Sequence, residues 1–390
     1  MKKIIKLKKG EDKRIKNGHL WVFSNEIQQI QGEPSTGDIV ELRTYSGEYL
    51  GKGFYNAHSL ITFRLLTRIE EEIDFQFYKN KIEQALELRK RIYPEYRSYR
   101  VVYGESDFLP GLIIDKYNDY LSVQVYSSGI DKHLTLICDV IESIFKPKGI
   151  IERSESPLRE LEGLKPKKGI LRGKIEKIMI KENNLNFYVD LIEGQKTGFY
   201  FDQRENRFAI RRYSEGARVL DCFCNDGGFA LNAASAGASE VIGVDISDSS
   251  IQRAVYNSEI NNFSNKCKFI KADVFEFLNE AEIKKEKYDL IVLDPPSFTK
   301  SKKNISTAKV GYRNINTRAM KLLKPNGILA TASCSHHIDD EMFLDIIQSS
   351  AKNAKRTLRL LEFHGAAPDH PILISMPETK YLKFGIFEVM

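Results

Sequence analysis

The 390-residue chain is poor in cysteine, with five residues at 138, 222, 224, 267 and 334. An odd count without framework spacing argues against a disulfide scaffold and for a reducing compartment, so a cytoplasmic location is expected. Cys222 and Cys224 form a C-x-C pair with no second pair, the wrong pattern for structural zinc, and no metal is expected. No stretch reaches the roughly 18 continuous apolar residues that a membrane helix needs. The basic N-terminus has no apolar segment behind it and does not read as a secretory signal. Internal repeats and low-complexity tracts are absent. A full G-x-G-x-x-G is missing too, which weakens any dinucleotide or phosphate-binding reading.

What is present is an ordinary folded composition, 42% hydrophobic and 29% charged, long enough for two or three domains. The formal net charge is +6. The first twenty residues carry Lys2, Lys3, Lys6, Lys8, Lys9, Lys13, Arg14 and Lys16 against Glu11 and Asp12, so that segment alone equals the excess of the whole chain. Such a concentration favours a polyanionic partner, because neutralising phosphates releases counterions. The plainer alternative is a solvated basic face.

Three regions follow from the patterning. Residues 1–72 read as small β structure, with Ile39–Arg43 alternating, a turn at Ser46-Gly47 and a strand at Leu60–Leu66. Residues 73–185 read as a small αβ domain. It opens on a helix from Phe75 that closes before Pro94. A hairpin around Asn118-Asp119, a helix His133–Phe145, a strand Ile150–Arg153 and a loop Lys165–Gly169 follow. Residues 186–390 alternate strand and helix: Val219–Phe223, Val241–Asp245, Lys268–Asp273, Tyr288–Asp294 and Gly327–Ser333, with Tyr381–Val389 as an added edge strand. Helices between such strands indicate an α/β fold with a parallel sheet covered on both faces, Rossmann-like in outline.

Ligands of these sheets lie beyond the carboxyl ends of the strands. Four of the five parallel strands finish near an acid, Asp221, Asp245, Asp273 or Asp294, and the fifth finishes at Cys334. A lone strand-end acid often only caps the next helix; four together point to a ligand. Asp245 follows Asp221 by one βα unit, the spacing at which an acid holds a ribose diol. Asp273 can accept from an adenine amino group. The Gly227-Gly228 pair opens a helix whose N-terminus suits a carboxylate. S-adenosylmethionine, with adenosine and an amino-acid carboxylate but no phosphate, fits this set best.

Asp221-Cys222-Phe223-Cys224-Asn225-Asp226-Gly227 resembles class I methyltransferase motif I, with Asp221, Phe223, Asn225 and Gly227 at the D-x-G-x-G-x-G positions and two glycines replaced. Gln195-Lys196-Thr197-Gly198-Phe199-Tyr200-Phe201-Asp202-Gln203-Arg204 resembles the segment before motif I in the bacterial 23S ribosomal RNA (cytosine-5) methyltransferase I family. D-C-F-x-x-x-G-G-F is that family's usual motif I. The likeness spans essentially the whole chain. Lys13–Phe23 resembles the family's opening, a pseudouridine-synthase-and-archaeosine-transglycosylase (PUA) type RNA-binding domain, and Gly104–Leu112 its middle αβ domain. The resemblance implies cofactor contacts from Tyr200, Asp202, Arg204, Asp221, Phe223, Asn225, Gly227, Asp245, Ile246, Asp273, Val274 and Asp294.

Leu293-Asp294-Pro295-Pro296-Ser297-Phe298 ends an apolar strand, and the prolines force the chain out at the carboxyl edge. D-P-P-[FY] motifs also occur in amino-group methyltransferases, so this motif alone leaves the target atom open. Ser333-Cys334-Ser335 resembles the nucleophile motif of RNA cytosine-5 methyltransferases. A thiolate adding to carbon 6 of cytosine would make carbon 5 able to attack a sulfonium methyl. Cys334 is then the expected nucleophile and Asp294 the acid that orients the base. Many such enzymes carry a second cysteine where this chain has Ser297, which leaves the base for adduct release unassigned. Methylation of a guanine amino group and a non-catalytic RNA-binding module stand as alternatives.

RNA is the expected partner, large-subunit ribosomal RNA by the resemblance, and a homodimer is among the partners this reading allows. Lys13, Arg14, Lys300, Lys302, Lys303 and Arg313 are the expected phosphate contacts, with Tyr312 and Phe298 stacking on an unpaired base. The chemistry requires that donor methyl, nucleobase and the Cys334 sulfur converge on one rim of the sheet.

Overall fold

The computed structural model describes residues 2–194, 197–299 and 302–390, with only the backbone of Lys302. Gln195, Lys196, Lys300 and the Lys302 side chain, all part of the expectations above, lie outside the described residues. The chain forms two compact units, neither of them one continuous block. The first comprises Met1–Ile180, Val189–Phe201 and Pro368–Thr379; the second comprises Lys181–Tyr188, Asp202–Ala367 and Lys380–Met390.

The first unit contains two sheets. Strands Ile4–Leu7, Trp21–Phe23, Ile27–Gln31, Ile39–Arg43, Tyr49–Tyr55 and Ile61–Thr67 form a six-stranded sheet around Ile5, Leu7, Val40, Leu42, Phe63 and Leu65. The expected turn at Ser46-Gly47 joins Ile39–Arg43 to Tyr49–Tyr55 as an antiparallel pair. Five further strands, Ser98–Tyr103, Leu112–Tyr117, Tyr120–Val125, Gly149–Ser154 and Lys167–Gly173, share a core with helices Phe75–Ile92 and Ser128–Phe145. Asp74 caps the first helix by accepting from the Phe77 amide at 2.9 Å. Asn118 turns the hairpin in the left-handed region, φ 54°, as a two-residue loop demands.

Two expectations change here. The second helix starts at Ser128 rather than His133, capped by the Ser127 hydroxyl. Much of the expected loop Lys165–Gly169 belongs to the strand Lys167–Gly173, whose exposed edge position leaves no apolar alternation to read. Buried Arg89 donates to both oxygens of Asp107 and to the Asp369 carbonyl at 2.9 Å, which fixes the returning segment within this unit.

The second unit is a seven-stranded sheet with helices between its strands: β1 (Arg218–Cys222), α1 (Gly228–Ser235), β2 (Glu240–Asp245), α2 (Asp248–Ile260), β3 (Cys267–Lys271), α3 (Val274–Ile283), β4 (Tyr288–Leu293), α4 (Ile305–Leu322), β5 (Leu323–Ser333), α5 (Asp340–Ala354), β6 (Leu358–His364) and β7 (Lys383–Val389). The spatial order is β3-β2-β1-β4-β5-β7-β6. The first five are parallel, and β7 runs antiparallel to both neighbours. Leu220, Ile291, Leu293 and Leu329 face α3, α4 and α5. Val219, Leu290, Val292, Ala330 and Ala332 face the opposite way, onto α1. Burial on both faces is why these strands read as unbroken apolar runs, and the expected α/β fold is what forms.

β7, expected as an edge strand from Tyr381, begins at Lys383 and lies inside the sheet. The edge on this side is β6, which the sequence reading did not contain. Its Leu360 and Leu361 are exposed and a register shift interrupts its pairing, so no period of two survives.

Candidate functional site

The loop after β1 decides the site's shape. Phe223, Asn225 and Gly227 have φ of 62°, 46° and 82°. All three glycine positions of the motif are therefore left-handed, although only the last is glycine. Asparagine tolerates this region, whereas phenylalanine pays roughly 1 kcal/mol or more for it. The loop is held by its neighbours. The Cys224 amide donates to the Val244 carbonyl (3.1 Å), the Asn225 amide to Asp245 Oδ2 (3.0 Å), and the Ser250 hydroxyl to Asn225 Oδ1 (3.1 Å). A Cβ on Gly227 would come within 3.2 Å of the Phe269 ring, so packing as well as φ demands glycine there.

Asp221 is fully buried. Its Oδ2 accepts from the Ala230 amide at 2.9 Å, and its Oδ1 has no hydrogen-bond partner. Burial raises its pKa well above the usual carboxylate range; the Ala230 amide opposes the rise, and nearby Asp294 and Asp245 add to it. A buried acceptor with nothing to accept from marks a place for a donor, and an ammonium would also relieve the electrostatic penalty. That property fits the amino group of an amino-acid ligand. Farther along the same loop, burial pushes Asp226 up to about 6, against the opposing pull of Arg253, whose Nε donates to Asp226 Oδ1 at 2.8 Å.

Asp245 is half-buried and locked by two amides, Ser247 N on Oδ1 (2.9 Å) and Asn225 N on Oδ2 (3.0 Å). Each oxygen keeps a lone pair for a hydroxyl donor. Ile246 beside it is 67% exposed, an apolar side chain at the strand end that a flat ring would cover. Asp273 caps α3, its Oδ1 accepting from the Phe275 amide (2.8 Å) and the Glu276 amide (3.1 Å); Val274 behind it is buried.

Cys334 and Asp294 come together. β4 and β5 are in register with Val292 beside Ala330, so Asp294 and the end of β5 reach the rim side by side. Cys334 packs on the same side as Ala330 and Ala332, and its Sγ lies 3.9 Å from the Pro295 carbonyl oxygen. It is half-buried, whereas Cys222 and Cys224 are buried. Asp294 Oδ1 accepts from Gln203 Nε2 at 2.8 Å; Gln203 Oε1 accepts from Asn206 Nδ2 at 2.6 Å, and Asn206 Nδ2 also donates to the Gly365 carbonyl. Next to Cys334 in the chain, the Ser335 hydroxyl bridges Ser297 Oγ and Tyr312 Oη, each at 2.9 Å, tying the loop after β4 to the loop after β5.

Other expected residues are engaged elsewhere. Arg204 is buried against Glu182 (Nε to Oε2, 3.1 Å), which also takes two hydrogen bonds from Arg207 at 2.7 and 2.9 Å. Its guanidinium is part of a buried ion network, while Arg207 lies close enough to lower the pKa of Asp221 and Asp226. Asp202 is buried and accepts from the Tyr381 hydroxyl. Tyr200 is half-buried and belongs to the first unit. Tyr312 is 1% exposed within the core of the second unit, so its ring is not available to stack on a base; Phe298, packed on it at 4.6 Å, is half-buried. Lys13 and Lys303 are exposed and Arg313 is half-buried. Arg14 donates to the Trp21 carbonyl and Glu26 and lies over the Phe23 ring, and this ties it to the fold. Lys2, Lys3 and Lys16 pair with Glu41, Asp38 and Glu48 respectively, so the N-terminal charge excess is partly neutralised.

The sequence reading missed Gln203, Asn206, Glu182, Arg207 and Lys383. Only Gln203 carried a signal, as a member of the segment before motif I.

Among the described residues no helix is long and apolar enough to cross a membrane. Residues 5–68 match the family described as PUA-like domain, and residues 169–384 the family described as S-adenosylmethionine-dependent methyltransferase. Two relatives are called ribosomal RNA large subunit methyltransferase I. That of Aeromonas hydrophila is 40% identical over 386 residues, 97% of each chain, and that of Tolumonas auensis 39% over 390 residues, 98% of each. A solved structure of a candidate SAM-dependent methyltransferase from Streptococcus mutans shares the fold, with a TM-score of 0.85 at 20% identity over the full length of both chains. With an S-adenosylmethionine-dependent domain over more than half its length and near end-to-end likeness to these relatives, the chain belongs to the ribosomal RNA large subunit methyltransferase I family.

Proposed function

We propose that this chain methylates carbon 5 of a cytosine in 23S ribosomal RNA through a covalent adduct on Cys334. S-adenosylmethionine, when bound, supplies an electrophilic methyl group on its sulfonium. Asp221 is suited to its amino group, Asp245 to its ribose hydroxyls, and Ile246 and Asp273 to its adenine, whereas the buried Val274 side chain is not available to it. The Cys334 thiolate would add to carbon 6 of the cytosine, and carbon 5 would then take the methyl as its bond to sulfur breaks and S-adenosylhomocysteine leaves. Loss of the carbon 5 proton and β-elimination restore the base's double bond and free the thiolate. Asp294, oriented by Gln203, hydrogen-bonds the ring and stabilises the adduct. The names of the relatives support the ribosomal substrate, and the PUA-like region of residues 5–68 supports an RNA grip.

The observation that carries this reading is the shared rim of Asp294 and a half-buried thiol beside Pro295. The test is Cys334→Ala with full-length protein, S-adenosylmethionine and 23S RNA. Nuclease digestion and mass spectrometry should find no 5-methylcytosine, while calorimetry finds cofactor affinity nearly intact. Undiminished turnover would exclude covalent catalysis, and methylated guanine as product would favour the amino-group reaction.

A further inference from the structure

Lys383 is an unusual residue for the inside of a sheet. It opens β7, directly across from Ser333, and is 3% exposed. Its Nζ donates to the Ser335 carbonyl at 2.8 Å and to the Tyr381 carbonyl at 2.7 Å. The side chain thus spans from the residue before Cys334 to the residue after it. Both of these acceptors are neutral carbonyls. Buried lysines are rare unless paired with an acid, and keeping an ammonium in such a place calls for a reason.

We propose that Lys383 is a positioning residue for the nucleophile: its ammonium clamps the Ser333-Cys334-Ser335 turn and supplies the positive charge against which the Cys334 thiolate forms. This rests on the reading of Cys334 as the nucleophile. The thiol proton leaves to solvent, the ammonium keeps its own, and the pair is neutral.

The electrostatic surroundings agree. Burial lowers the lysine to about 8, and Cys334 is the largest influence opposing that fall. Among the described residues, the leading further charged groups acting on it are Asp340 and Asp339 at the start of α5, which favour the ammonium, and Lys380, which disfavours it. Cys334 itself has Asp294 on the neighbouring strand end and Tyr312 within electrostatic reach. The lysine is therefore a cation below about pH 8 and a neutral amine above it.

The test is alkylation of the full-length protein by iodoacetamide from about pH 5.5 to about pH 9.5, with peptide mass spectrometry reading Cys334 and, as a folding control, half-buried Cys267. In the unsubstituted chain the Cys334 midpoint should lie below the ordinary thiol value of about 8.5. Lys383→Met should slow alkylation at pH 7 about tenfold or more, with the two rates converging as pH rises past the lysine's own titration. Lys383→Arg should recover the rate to within about threefold. Methyl-transfer kcat should follow the same order.

Equal rates for Lys383→Met and the parent at pH 7, or a parent midpoint at or above about 8.5, would overturn the proposal. If Lys383→Met does not fold, Cys267 will react quickly, and the parent midpoint together with Lys383→Arg decides. If Cys334→Ala retains turnover, the nucleophile reading fails, whereas the alkylation rates still decide whether the lysine and the thiol are coupled.

Discussion

Replacing Asp221 with asparagine should separate what this residue costs the fold from what it gives the cofactor. The carboxyl is fully buried, one oxygen receives a single amide hydrogen bond, and the other receives nothing. Its folded-state pKa is raised, so the folded protein holds a proton that the unfolded chain releases near the ordinary value of about 3.9. Stability from this group is then complete below that pH and declines as pH rises toward the folded-state value. Asparagine has no proton to lose. The cofactor-free D221N variant should match the parent at about pH 4 and exceed it at about pH 7.5 by about 1.4 kcal/mol or more, because only the parent must hold a proton that the unfolded chain releases, at about 1.4 kcal/mol for each pH unit between the two values. Cofactor binding should move the other way. A charge-assisted hydrogen bond to the ligand's amino group contributes about 1.5–3 kcal/mol, so D221N should bind S-adenosylmethionine roughly 10- to 150-fold more weakly. Urea unfolding at the two pH values and calorimetry at the higher one measure both effects. A variant less stable than the parent at neutral pH, or equal in affinity, would refute the account of the orphaned oxygen.

Two further perturbations follow from buried contacts in the same unit. Arg253→Met strips Asp226 of its guanidinium and should destabilise by about 3 kcal/mol at pH 8. The loss should shrink below about pH 6, where Asp226 takes a proton with or without the arginine; urea unfolding across that range checks it. Gln203→Leu removes the donor on Asp294 Oδ1 and should lower kcat by about tenfold or more, measured by methyl transfer to 23S RNA. An unchanged kcat would mean that Asp294 keeps its orientation without Gln203.

The shared rim of strand ends was readable in the sequence because parallel strands buried on both faces leave long apolar runs, and ligands of such sheets lie where those runs stop. That rule placed Asp221, Asp245, Asp294 and Cys334 at strand ends, where the structure has them. Even the missing glycines were informative, since Phe223 and Asn225 keep the left-handed backbone that the motif requires. What stayed hidden is complementarity over long separations. Lys383 reaches across 48 positions to Ser335, and Gln203 across 91 to Asp294, and no periodic pattern announces such pairs. Tyr312 is a different case. Aromatic character amid lysines and arginines read as a stacking platform, but Ala308, Tyr312, Ile315 and Ala319 recur at helical spacing on the buried side of α4. The period was present in the sequence and outweighed the local composition. The basic arm follows the same logic in charge. Lys2, Lys3, Arg14 and Lys16 look like a phosphate grip when counted in a window, yet Glu41, Asp38, Glu26 and Glu48 come from outside that window to meet them. A run of like charge therefore measures what a segment carries, and only the fold determines how much of it remains for RNA.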